Sequence, residues 1–187
     1  MHVVVLKIKK IFFLIVTVLY SLSSMGQQVA LNNGVSIDIP AHAQTITKGE
    51  AVAHAAKKFN NDESALKSVN NIHTKYIYKI DDILISLNVF DETTKISNAY
   101  LSDLKKGHDI LAKKAELTDY TSSLRKINNN SVLTITHIFN NVVYCNFYCL
   151  NANNTREITG ALHYHKNDAA EAQSVLEKLL NSIKFKD

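Results

Sequence analysis

The side chains best suited to chemistry in this 187-residue chain are its two cysteines and some of its eight histidines. Cys145 and Cys149 stand four residues apart in the run VVYCNFYCL. On one straight strand that spacing separates them by ~13 Å, whereas a disulfide needs Cα atoms within about 7 Å. An exported chain meets oxidising conditions, yet the geometry reads as two free, buried thiols. His163 and His165 flank a single residue, so on a strand both imidazoles share a face, as two ligands of a zinc or copper ion would. Zinc requires three or four ligands. His137 is a conceivable third, and Asp168 or His73 a fourth, but no spacing ties them together, and His163 and His165 stay weak metal candidates. Pairing Cys145 with His137 or His163 would make a thiol nucleophile, but such a cysteine needs an electropositive, partly exposed setting. These lie among Phe, Tyr and Val. There is no GxSxG, no HExxH and no phosphate-binding glycine loop, and five glycines leave little material for one. No catalytic residue and no cofactor are assigned, and the chain is expected not to be an enzyme.

Positioning these residues falls to the stretch Val132–His165. VLTITHIF, VVYCNFYCL and REITGALHYH alternate apolar residues with period two and are rich in β-branched and aromatic types, the signature of strands. Asn140-Asn141 and Asn151–Asn154 separate them, and asparagine tolerates the left-handed backbone that tight turns need. A two-residue turn at Asn140-Asn141 would set Thr136 beside Cys145 and His137 beside Tyr144. Paired residues share a face, so the two apolar rows would then fall on opposite faces. Either the loop has odd length and one face is apolar, or both faces carry apolar groups; the reading favoured is a sheet covered on both sides.

Upstream, Val35–Pro40 reads as a short strand ended by proline. Thr47 and Glu50 form a capping box ahead of a helix with Val52, Ala55, Ala56 and Phe59 on one face, and a second short helix runs from Asp62 to Val69. Lys75–Lys79 and Ile83–Phe90 form a hairpin through Asp81-Asp82. Ser97 or Asn98 caps a helix to about Leu117, with Leu101, Leu104, Leu111, Ala112 and Ala115 inward. The last helix starts at a capping box of Asp168 and Glu171. It carries one apolar stripe, Ala172, Val175, Leu176, Leu179, Leu180 and Ile183.

Residues 1–26 read as a signal peptide: Lys7, Lys9 and Lys10 precede the apolar run Ile11–Tyr20, and Ser24-Met25-Gly26 fits a small-x-small cleavage site. The apolar run is shorter than the ~20 residues that span a bilayer, so no stable membrane span is expected after cleavage. Removing the three lysines takes the formal charge from +4 to +1. No basic patch interleaved with aromatics remains, which argues against a nucleic-acid partner. Residues 27–187 read as a single α/β domain in the periplasm or secreted.

The order of elements is a strand ending at Ile37–Pro40, a helix, a hairpin, a helix, a long meander and a closing helix ending LLNSIKF. It resembles the PsbP-like α/β/α sandwich of the PsbP, Mog-type and DcrB-type proteins. The chain departs from that pattern in having no Trp, with Ala41 and His42 after the proline. The resemblance implies an α+β fold, an antiparallel sheet whose C-terminal meander is flanked by helices. It also implies a non-catalytic accessory module acting through a protein partner, here another exported or envelope protein. A second reading is a small carrier of an apolar ligand held between the sheet and the helix from Asn98, with Tyr100, Tyr144, Tyr148 and Tyr164 as its lining.

Overall fold

The computed structural model describes residues 26–31, 34–91 and 95–186; the signal peptide read in the sequence lies outside them, apart from Gly26. Ten strands and four helices follow in chain order among these residues: β1 (Gln27–Ala30), β2 (Val35–Ile39), β3 (Gln44–Thr45), α1 (Lys48–Lys58), α2 (Glu63–Asn70), β4 (Tyr76–Ile80), β5 (Ile83–Asp91), α3 (Tyr100–Lys114), β6 (Tyr120–Ile127), β7 (Asn130–Phe139), β8 (Val142–Leu150), β9 (Arg156–His165), α4 (Ala169–Ser182) and β10 (Lys184–Phe185). They build two antiparallel sheets, a large one of order β3-β4-β5-β9-β8-β7-β6 and a small one of order β1-β2-β10.

Asparagine supplies the turns. Asn128, Asn129, Asn140 and Asn141 all have positive φ, between 48° and 68°, as the two-residue hairpin turns here require. Phe139 pairs with Val142, Thr136 with Cys145 and His137 with Tyr144. This register sends alternate residues of β8 into different cores. Val143, Cys145, Phe147 and Cys149 join the large cluster made with the small sheet and α4. Val142 and Tyr144 pack with α1 and α2, while Leu150 and Tyr148 pack with the start of α3. The layers are therefore α4 with the small sheet, then the large sheet, then α1 to α3. That is an α/β/α sandwich with both sheet faces covered.

The closing helix contributes most to the larger core. Ala172, Val175, Leu176, Leu179 and Leu180 are buried, and each fully buried aliphatic side chain is worth roughly 1.5–3 kcal/mol. Ser182 then fastens α4 to the small sheet by accepting the Asp38 N–H at 2.9 Å. At its start the structure differs from the capping box read in the sequence: Asp168 makes no side-chain cap hydrogen bond. A short 3-10 turn at Lys166–Asp168 leads into the helix instead. The box at α1 is present in both halves, with the Thr47 N–H donating to Glu50 at 2.7 Å and the Glu50 N–H donating to Thr47 at 3.2 Å.

Helix α3 is rotated from the phase read in the sequence. Leu101 and Ala112 are buried, but Leu111 is 62% exposed, and Ala115 is an exposed C-cap. A polar anchor explains the turn. Asp109 accepts hydrogen bonds from Tyr120 at 2.9 Å and Ser122 at 2.6 Å on β6, and from Lys105 at 2.7 Å. Holding Asp109 against the sheet swings Leu111, two residues on, to the flank.

Candidate functional site

Three places hold the residues with chemistry: a row of rings across the large sheet, a cleft at one end of it, and a cluster of donors at the other end. The row follows from the register. Tyr120 pairs with His137, His137 with Tyr144, Tyr144 with His163 and His163 with Leu84, so these five side chains cross five strands on the face beneath α1 to α3. His137 stacks on Tyr144 with centroids 4.9 Å apart and planes at 4°, and Tyr144 meets His163 edge-on at 5.4 Å and 87°.

His163 is 4% exposed. Its Nε2 lies 2.8 Å from the Ser68 hydroxyl on α2, and its Nδ1 has no hydrogen-bond partner. Burial, followed by the charge of His137, holds its pKa down at about 4, so the ring is neutral at pH 7. The Ser68–His163 contact is therefore a poor nucleophile pair: the base has little proton affinity, and no carboxylate orients it from the far side. Tyr144 donates weakly to Asp62, the N-cap of α2, at 3.4 Å, and Asn140 donates to the same carboxylate at 2.7 Å. The row thus ties α2 to the sheet.

The structure does not gather the metal ligands considered above. His163 is occupied by Ser68, and no group of three donors forms around His163 and His165 among the described residues. The thiols do not form a reactive pair either. Cys145 and Cys149 are free and buried on the α4 face, opposite His163. Burial raises both thiols, Cys149 to about 12 with the help of the Glu157 charge. Nor do the four tyrosines converge. Tyr144 belongs to the α1–α2 cluster, Tyr100 and Tyr148 to the α3 cluster, and Tyr164 to the opposite face with α4.

A half-open cleft of about 490 Å³ does lie between the start of α3 and the sheet. Its lining includes Leu101, Leu124 and Leu150, and Lys126 adds positive charge, while the Arg125 guanidinium is paired with Glu177 of α4 at 2.5 Å. Leu124 is 41% exposed. A second cavity of about 420 Å³ shares Ala152 with it and is walled by asparagines of the β6–β7 turn and β8–β9 loop. The cleft lies where β6 forms the free edge of the large sheet. The sequence reading of a ligand between the sheet and the helix from Asn98 chose tyrosines as its lining, whereas the cleft is lined by Leu101, Leu124 and Leu150.

No family model matches the chain, and no curated protein matches it in sequence. Solved structures do match. The solution structure of cyanobacterial PsbP (CyanoP) from Synechocystis superimposes with a TM-score of 0.53 at 10% identity, over 87% of this chain and 94% of that one. The fold is PsbP-like. The crystal structure of the Saccharomyces cerevisiae Ran-binding protein Mog1p covers 88% of this chain and 97% of its own, at 11% identity and a TM-score of 0.46. The PsbP-like frame accounts for the α/β/α layering, but at this identity it brings no functional residues with it.

At the end of the sheet away from the cleft, His42, Asp81 and Glu171 bring their donor atoms within 4.8 Å of one another. They come from the β2–β3 loop, the β4–β5 turn and the first turn of α4. No spacing in the sequence links three such distant segments.

Proposed function

We propose that the protein is a non-catalytic binding module of the cell envelope that acts on another exported protein, in an adaptor, chaperone-like or immunity-type role. The observation that carries this reading is the cleft beside β6. It offers leucines for an apolar anchor and the Lys126 cation for orientation, next to an edge strand whose outer backbone groups have no neighbour in the sheet among the described residues. Extended segments add to such edges through main-chain hydrogen bonds, with pockets beside the edge reading their side chains. The basic and apolar leader at the start of the chain supports export. The raised thiols and the weakly basic His163 support the absence of catalysis.

The test is photo-crosslinking from Ser102, in the cleft, in the full chain expressed in its own cells. One defined envelope-protein adduct is expected, reduced at least tenfold by Leu124→Asp and unchanged by an exposed control such as His73→Ala. No adduct from Ser102, or one indifferent to Leu124→Asp, would remove the cleft as the partner site. A second reading, a carrier of a small apolar ligand, is favoured by the cleft volume, which falls within the ~300–1,000 Å³ of ligand pockets. Native mass spectrometry separates the two, because a carrier retains a bound small molecule after purification.

A further inference from the structure

We propose that His42, Asp81 and Glu171 form a surface site for one borderline divalent cation of the zinc class. The donor set is one imidazole nitrogen and two carboxylates, all within 4.8 Å of one another. That mixture suits zinc and its neighbours rather than magnesium or calcium, which prefer all-oxygen cages. The geometry follows from the ladders. Gln44 pairs with Lys79 and Thr45 with Tyr78. Extended outward by two residues, this antiparallel register sets His42 opposite Asp81. The pairing of Leu84 with His163 places the β4–β5 turn beside the end of β9, and α4 begins a short turn later with Glu171 near its start. A loop, a turn and a helix thus present one donor each.

The three side chains are exposed, and none has a hydrogen bond or an ion pair within 4.0 Å among the described residues. Glu171 stands three residues after the N-cap Asp168, where a carboxylate commonly folds back onto its own helix, yet the capping bond from Asp168 is missing. Two carboxylates and an imidazole are therefore held together without contacting one another. One cation replaces their mutual repulsion with three bonds. Three protein donors leave at least one coordination position for water. Bound there, the ion fastens the β2–β3 loop to the large sheet and to α4, so its binding energy adds to the stability of the folded chain.

The experiment is calorimetric titration of the full chain with zinc chloride, together with its melting temperature with and without the metal. The expected result is one zinc per chain and a melting temperature raised by roughly 5–10 °C at a hundredfold excess over the dissociation constant. His42→Ala, Asp81→Asn and Glu171→Gln each weaken binding at least tenfold, and His73→Ala leaves it unchanged. Asn is chosen at Asp81 because φ there is 46°, a conformation Asn tolerates, so folding is retained. No stoichiometric binding by the native chain, or binding indifferent to all three substitutions, overturns the site.

Discussion

A methyl group added at Gly160 would lie 2.2 Å from the ring of Phe147, the residue paired with it on the neighbouring strand, and 3.0 Å from Leu87. Overpacking of this kind costs about 1–3 kcal/mol, so Gly160→Ala should lower the urea midpoint without changing the slope. Companion variants Gly160→Ala/Phe147→Leu should recover part of the loss. His163 gives a pH signature. Its folded pKa is depressed to about 4 from the ordinary 6.5, so protons bind the unfolded chain first. Stability is therefore complete above about pH 6.5 and falls as the pH drops toward 4, by up to roughly 3 kcal/mol. His54 and His137 are lowered too, again chiefly by burial, and act with the same sign. The lowered Asp62 and Asp109 act only at more acid pH. Unfolding free energies at pH 7.5 and 4.5 should show the drop, and His163→Gln should shrink it; a flat profile would remove His163 as its cause. The separation of Cys145 and Cys149 along one strand follows from strand arithmetic alone. The His42 cluster did not, because its members share no segment and meet only through sheet register.

Among the elements, α4 is the most consequential. Deleting the chain from Val175 removes four buried aliphatic side chains of the helix and Ile183 after it. Their burial is comparable with the whole net stability of a small domain, so the truncated chain should show no cooperative melt by circular dichroism. Leu179→Ala alone should cost about 2–5 kcal/mol. Thr47→Ala should cost about 0.5–2 kcal/mol through loss of the α1 cap, measurable in the same assay. These elements were readable because their signals are local: a 3.6-residue stripe, a Thr-x-x-Glu box, paired asparagines. The register of the meander was readable for the same reason, since the length of the Asn140-Asn141 turn fixes every pairing in β7 and β8. The phase of α3 was not, because its apolar residues are ambiguous and the deciding bonds come from Tyr120 and Ser122 on a later strand. Nor was the start of α4, where a 3-10 turn took the place of the expected cap.

For the molecule as a whole, the two ends of the large sheet are chemically different. One carries the cleft with Leu124, Arg125 and Lys126, the other the His42, Asp81 and Glu171 cluster. Substitutions at one end should be additive with those at the other, since distant sites without shared partners couple weakly. The layer order was legible from the two apolar rows of β8, whereas the small sheet was read only as its middle strand. Its flanking strands are too short and too polar to announce themselves, and one of them comes from the far terminus. That last feature governs how the chain must assemble. β2 lies between β1, which precedes it directly, and β10, whose Phe185 pairs with Val35 from 150 residues further along the chain. Until β10 is in place, β2 has only β1 as a ladder partner in the small sheet. Closing so distant a pair is entropically slow. Until it closes, the outer backbone groups of β2 stay open to other partners, a target for a holdase.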